Sequence, residues 1–526
     1  MPGISFITRL IRRLLSVRST RGVSFTLSFL AVVSKPLGYI RMLITAWAFG
    51  TSPGMDSFHM ANSIISLFAM SIGSAFQSAL LPEIVRVRHE TGGDACSRSI
   101  TALASCVVLP LVALFCAAIA IAPGVIVKFF ASGFDPERIR VGAIMLWWLA
   151  PLAIVTMCKP IADIWAVFNE RYTLSSLCSL SFNLVAIPSL LIAMPLAGVY
   201  SVAISTSAAQ IVIFITMCAA LGGVPLIWKR SELPIASLVR ITKNTLYVLV
   251  IVAGGAMMMM VDRYFASRLP SGSVTAVSYG AILIGMITIV ADTPMTFLLS
   301  KLSSAAADGG EESKRLLDGT LAIVMAYFMP ASILAAAAAR PIVSLLYGWG
   351  NFDALSIDMT VEAFSAYCIG VAFALSANVL ARYAQAFQKL GVIVVLSYVL
   401  IGTNALLDWL MITRWGILGL AFATSMTQIM SFLLYYLFAC GGGFVSFLTR
   451  TRFLHQISLT LACAAATASC VSLGTAAHLG VALLAALFYM VVAERFNLMP
   501  CVPEHWRPRK LASFLVESAK SYFMPI

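Results

Sequence analysis

The sequence predicts an all-α polytopic membrane protein of about fourteen transmembrane helices. Three observations carry this. The 526 residues are 60% hydrophobic and 11% charged, with a mean hydropathy of +0.94, whereas a soluble domain carries about a quarter charged residues and less than half apolar ones. Apolar stretches of spanning length recur along the chain. Lys and Arg collect in alternate loops between them.

The first 22 residues, MPGISFITRLIRRLLSVRSTRG, place Ile4, Ile7, Leu10, Ile11 and Leu14 on one helical face, with Arg9, Arg12 and Arg13 on the other. That is the pattern of a helix lying on an anionic leaflet. A disordered basic tail is the alternative, and the interrupting arginines argue against a signal peptide. Spanning segments follow at 24–50, 56–83, 99–122, 141–168, 173–195, 198–222, 240–262, 274–300, 316–339, 358–386, 390–412, 416–440, 455–475 and 477–494. They are too long and too uniformly apolar for barrel strands, which alternate.

The loops set the orientation. The even loops hold Arg86, Arg88 and Arg98; Arg171; Lys229, Arg230 and Arg240; Lys301, Lys314 and Arg315; Lys389; Arg450 and Arg452. Arg507, Arg509 and Lys510 follow in the tail. The odd loops are poorer. The third, with Lys128, Arg138 and Arg140, and the seventh, with Arg263 and Arg268, are exceptions. The balance places both termini in the cytoplasm of a bacterial inner membrane.

Segment 56–83 ends in ALLPEI before a basic loop, and segment 274–300 ends in FLLSKLS before another. This faint repetition suggests a six-helix lobe over 24–222 and a second over 240–440, with substrate handled between repeats as in many transporters. Two C-terminal helices over 455–494 and a cytoplasmic basic tail over 495–526 complete the expected organisation.

The chain has no GxxxxGK[ST] loop, HExxH or GxSxG motif, and its five His are not clustered. A transporter is therefore expected, not an enzyme. Net charge is +13, which the basic loops explain without a nucleic-acid partner. The eleven Cys form no CxxC pair and read as small buried hydrophobes.

A charge at the bilayer centre costs about 2.5–3.5 kcal/mol on insertion scales, so the charged residues inside the segments mark function. Lys35 and Arg41 lie in the first segment around Pro36 and Gly38, and Asp56 heads the second. Two cations and one carboxylate leave a positive excess that suits a phosphate; the alternative is an Arg41–Asp56 ion pair with Lys35 reaching an interface. Asp262 ends the seventh segment, Asn404 and Asp408 share a face of the eleventh, and Thr424 lies in the twelfth. This is a hard oxygen set suited to a small cation, or a set of hydrated residues near the surface. Lys159 and Asp163, four apart beside Pro160, read as a neutralising pair. Asp292-Thr-Pro294 reads as a kink. Met257–Met260 reads as adaptable packing.

The first segment resembles the MurJ/MviN family, the lipid II flippases of the MOP exporter superfamily. The family's Ser-Arg-x-Leu-Gly-x-x-Arg-Asp pattern is met by Ser34, Lys35, Pro36, Leu37, Gly38, Tyr39, Ile40, Arg41 and Met42. Its Phe-Gly-Ala and Thr-Asp-Ala-Phe are met by Phe49-Gly50-Thr51 and Met55-Asp56-Ser57-Phe58. VDRYFASRLPSGSVTAVSY (261–279) and LYGWGNFDALS (346–356) are similar to its seventh helix and its Gly-x-Phe stretch. The resemblance implies two pseudo-symmetric lobes around a central cavity and alternating access. It implies transfer of an undecaprenyl-pyrophosphate-linked sugar, lipid II or a related peptidoglycan precursor, with cell-wall synthesis machinery as a partner class. It assigns substrate to Lys35, Arg41 and Asp56, with Asp56 latching Arg41, and sodium, as a coupling ion with no other cofactor, to Asp262, Asn404, Asp408 and Thr424. The last two helices and the tail residues Leu511, Phe514 and Leu515 are expected to form a rest for the lipid tail.

The sequence also departs from the family. ANSIISLFAMSIGSAF (61–76) stands where the family has Asn-Leu-Leu-Arg-Arg, Gly280 or Ala281 stands at its helix-eight cation, and YAQAFQKLGV (383–392) replaces its Asp-x-x-Thr-Pro. Two alternatives remain open: a flippase for another lipid-linked oligosaccharide of exopolysaccharide or O-antigen type, and a cation-coupled small-molecule exporter of the same superfamily. A non-transporting scaffold ranks below both, because it would not need Lys35 and Arg41 in an apolar helix.

Overall fold

A computed structural model describes residues 20–80, 94–169, 171, 174–222, 235–288, 310–387, 389–440, 453–470, 474–496 and 498. Among them every regular element is helical: α1 (Thr20–Phe49), α2 (Pro53–Leu80), α3 (Asp94–Ile121), α4 (Pro123–Phe130), α5 (Pro136–Phe168), α6 (Leu174–Ala197), α7 (Ser201–Ala220), α8 (Ile235–Ala266) and α9 (Ser273–Thr288). Then come α10 (Gly310–Ala337), α11 (Ala339–Tyr347), α12 (Ala354–Ala386), α13 (390–415), α14 (417–440), α15 (Phe453–Ala468) and α16 (Thr475–Arg495). Each of the fourteen expected segments has a helical counterpart. Two short helices, α4 and α11, were not expected. α3 and α4 meet at a bend of 92°, so Lys128 is helical and not in a loop. The N-terminal stretch through residue 19, Asp292-Thr-Pro294 and the tail from residue 499 lie outside the described residues.

Two glycines make turns that other residues would strain. Gly50 has φ 53° between α1 and α2, where Pro53 then opens α2. Gly416 has φ 54° and ψ −128° and separates α13 from α14. Caps set other starts. Asp135 accepts from the Arg138 amide ahead of α5, and that bond holds its carboxyl below the usual range. Asp353 accepts the hydroxyl and amide of Ser356 ahead of α12, with the same effect.

The contacts group the chain into two units, Met1–Thr275 and Ala276–Ile526; α8, assigned by sequence to the second lobe, falls in the first unit. There α1 packs on α6, α2 on α5, α5 on α3 and α7, and α8 on α2 and α3. Close approach depends on small residues, because lipid leaves dispersion, not water exclusion, to join helices. A Cβ on Gly73 of α2 would lie 2.8 Å from the Thr156 carbonyl of α5.

In the second unit α12 packs along α13 and α14, where the Gly370 amide donates to Ser425 Oγ at 3.1 Å. Tyr279, Tyr347 and Phe352 stack with centroids 5.1, 5.4 and 5.8 Å apart, which gives the Gly-x-Phe stretch a packing role. α15 and α16 dock on α10 through Cys463, Tyr489 and Ala493 against Ala322, Ala326 and Leu334.

Candidate functional site

Arg41 projects from α1 in the first unit. Its Nη1 donates to Thr206 Oγ1 of α7 at 3.3 Å, its guanidinium sits 5.3 Å from the Phe182 ring of α6, and its Nε is buried with no protein partner among the described residues. No carboxylate pairs with it among the described residues. A guanidinium held by a ring and a hydroxyl keeps its full charge available for an anion. Lys35 shares α1, but its side chain lies outside the described ones.

Asp56 does not take Arg41. The fully buried Asp56 carboxylate sits in the first turn of α2 and is already satisfied. Oδ1 accepts from the Thr275 amide at 2.9 Å and the Thr275 hydroxyl at 2.7 Å, and Oδ2 accepts from the Gly272 amide at 2.6 Å. Arg138 Nη1 of α5 stands 3.5 Å from Oδ2. Gly272 and Thr275 belong to the turn and first helical residues after α8, within the first unit. The amides at that helix start have no helical acceptors of their own, and a carboxylate is their natural cap. The expected Arg41–Asp56 latch is therefore replaced by a tie from α2 to α5 and to the turn after α8. Arg138 is steadied by Asp135 Oδ1 at 3.1 Å and by Phe134, 4.6 Å from its guanidinium. Ser57 Oγ donates to the Arg138 carbonyl at 3.0 Å, and Gly133 packs directly on Arg268.

The sequence placed Arg138 and Arg263 in outer loops, and the structure places both in helices. Arg263, near the end of α8, donates to Ser63 Oγ on α2. One turn before Ser63, His59 is buried. α8 continues to contact α2 at a π-helical turn, Ser66–Met70. This stretch has no cation of its own, and α8 supplies one beside it.

The expected cation ligands divide between the units. Asp262, largely buried, is in α8 of the first. Asn404 and Asp408 of α13 are fully buried in the second, with Asn404 Nδ2 donating to Asp408 Oδ2 at 3.0 Å. Thr424 of α14 hydrogen-bonds the Leu420 carbonyl at 3.3 Å. Asn404 and Asp408 thus form a buried oxygen-rich pair on one helix face, which fits a hard cation.

Lys159 is a structural pair, as its spacing suggested: Nζ donates to both oxygens of Asp163, at 2.9 and 2.8 Å. The Met257–Met260 run points several ways, with Met260 buried and Met257 and Met259 exposed. At Gly280, one of the two positions (with Ala281) that can match the resembling family's helix-eight cation, a Cβ would stand 3.0 Å from Ala363 Cβ and 3.1 Å from the Phe364 amide nitrogen. A long side chain has no room there.

A family model described as "Lipid II flippase MurJ" matches residues 45–492. The lipid II flippase MurJ of Burkholderia cenocepacia is 23% identical over 429 residues, covering 78% of this chain and 82% of the relative. A solved structure described as "Lipid II flippase MurJ, inward closed conformation" superposes with a TM-score of 0.73 at 19% identity, covering 90% of this chain and 99% of that one. An inward-facing multidrug resistance MATE family transporter of the MOP superfamily reaches a TM-score of 0.67 at 11% identity, over 78% and 97% of the two chains. At these identities the structural likenesses speak for the fold alone.

Proposed function

Because the chain belongs to the lipid II flippase MurJ family, we propose that it moves an undecaprenyl-pyrophosphate-linked sugar, lipid II or a related peptidoglycan precursor, across the bacterial inner membrane by alternating access. The observation that carries this to a site is Arg41: a part-buried guanidinium in an apolar helix, with a ring and a hydroxyl as its described partners. Its planar fork suits phosphate oxygens bidentately. Lys35, two turns earlier on α1, adds a second cation. Asp56 contributes by fixing the start of α2, so the helix bearing His59 and Ser63 is held in place. The basic even loops support cytoplasmic termini.

We further assign sodium as the coupling ion. Asn404 and Asp408 supply hard oxygens that fit it, and Thr424 joins them on sequence pattern. A bound cation would offset the buried Asp408 charge. A flippase for a different lipid-linked oligosaccharide is the second reading, favoured by the cation-free stretch 61–76 and the crowded Gly280.

The test is rescue. A bacterial host depleted of its own lipid II flippase lyses, and this chain is expected to prevent lysis. Asp408→Ala, equally expressed, is expected to rescue poorly and to lose any dependence of rescue on external sodium. An inserted wild-type chain that fails to rescue would move the assignment to another lipid-linked glycan.

A further inference from the structure

We propose that the end of α13 holds a site for an anionic phospholipid of the phosphatidylglycerol type, in which Arg414 takes the headgroup phosphate and Trp409 and Trp415 flank it. The site lies wholly in the second unit and does not depend on what the protein transports.

α13 has two unlike faces. Asn404 and Asp408 are fully buried. Leu406 and Leu410 each lie two residues from Asp408, roughly 200° round the helix, and both are exposed. Val395 and Val399 carry that exposed row toward the helix start. In a chain that spans a bilayer, such a row is a surface for acyl chains. Where it ends, a cavity of about 490 Å³ is lined by Trp409, Leu410, Met411, Thr413, Arg414 and Trp415. Gly416, with φ 54°, turns the chain there. α14 then returns so closely that a Cβ on Gly419 would lie 2.6 Å from the Met411 carbonyl oxygen. Trp415 packs edge-on against Phe422 of α14, with centroids 6.3 Å apart. The backbone of the lining and one of its rings are thus held in place.

Arg414 is exposed, and among the described residues no carboxylate pairs with it. It stands in the last turn of α13, whose carbonyl ends attract a cation without neutralising it. It borders the eleventh loop, an odd one, which in the proposed orientation faces the outer leaflet. A guanidinium at that depth meets lipid phosphates, and its planar fork suits two of their oxygens. Trp residues belong at the same boundary, with the ring in the apolar layer and the N–H toward the polar one. An apolar row, two indoles and an unpaired cation follow one another along the helix. They match an acyl chain, a glycerol backbone and an anionic headgroup in that order. A free phosphate would use the fork alone and leave the row and the rings without a partner.

The test is local. The purified full-length chain, carrying 5-fluorotryptophan in a neutral detergent, is titrated with phosphatidylglycerol and separately with phosphatidylcholine. The fluorine resonances of Trp409 and Trp415 are assigned by their loss in Trp409→Phe and Trp415→Phe. Phosphatidylcholine has the same phosphate beside a cation that repels Arg414. Wild type is expected to show saturating shifts of both resonances with phosphatidylglycerol, at a midpoint about fivefold or more below that for phosphatidylcholine. Arg414→Gln is expected to cut the preference to about twofold or less. Where Arg414→Gln fails to fold, Arg414→Glu carries the test, with the preference expected to vanish. Arg340→Gln removes a cation of the same unit that Asp358 already pairs, and is expected to leave the preference unchanged. The proposal is overturned if Arg414→Gln keeps the wild-type preference, or if Arg340→Gln lowers it as much. Resonances that move with undecaprenyl diphosphate and not with phosphatidylglycerol would overturn it in favour of the transported lipid.

Discussion

Arg41→Ala is expected to leave a folded, inserted protein that no longer rescues a flippase-depleted host. Folding and function separate here because of what Arg41 touches. Its described partners are a hydroxyl at 3.3 Å and an aromatic ring, so its removal strands no carboxylate among the described residues. The folding cost is then lost packing and one cation–π contact, about 0.5–2 kcal/mol. Substrate binding loses far more. Hydrogen bonds to charged groups contribute about 1.5–3 kcal/mol each, and a bidentate grip has two. That corresponds to at least about a hundredfold in affinity. Arg41→Lys keeps the charge and loses the fork, and is expected to rescue partially. Thermal melting of the purified variants, set against lysis scores, checks both halves. Full rescue by Arg41→Ala would remove Arg41 from the site.

Asp56→Ala is expected to fail in both respects. The carboxylate is completely buried and holds two amides, a hydroxyl and the Arg138 guanidinium. Truncation leaves the Gly272 and Thr275 amides unsatisfied and Arg138 without this buried counter-charge. Breaking a buried pair in this way costs about 3–5 kcal/mol, a large share of the stability a folded protein has. Asp56→Asn is no substitute, because an amide nitrogen would face one of the donors. The melting temperature is expected to fall for Asp56→Ala and to stay near wild type for Arg41→Ala. The reverse order would mean that Arg41, not Asp56, is the structural residue.

The helices were legible in the sequence because a span in lipid must satisfy its own backbone, and that requirement writes long apolar segments. Even the break at Gly416 was visible as a gap between segments. α4 and α11 were not, because helices of eight and nine residues fall far below spanning length and merge into apparent loops. At the site, the partial burial of Arg41 and the full burial of Asp56 were foreshadowed by their charge in apolar surroundings. Their partners did not. Gly272 and Thr275 lie 216 and 219 positions from Asp56, and nothing local marks a backbone amide that awaits a carboxylate. Arg138 and Arg263 are the instructive misses. Each appeared as a positive charge on the wrong side of the membrane, an exception to an otherwise regular loop pattern. Arg138 proves to be the counter-charge of Asp56, and Arg263 a cation delivered to α2. The violation of the topological rule was the available signal, since a charge that breaks the pattern needs another reason to be there.

The most direct test of the central claim is transport by the purified chain in liposomes, with fluorescent lipid II in the inner leaflet and a membrane-impermeant quencher outside. Wild type is expected to expose the label faster than empty liposomes, with the acceleration abolished by Arg41→Ala at equal reconstitution. A wild-type chain that leaves lipid II where it started, while moving another lipid-linked diphosphate, would contradict lipid II as the substrate. Equal transport by wild type and Arg41→Ala would contradict the phosphate site.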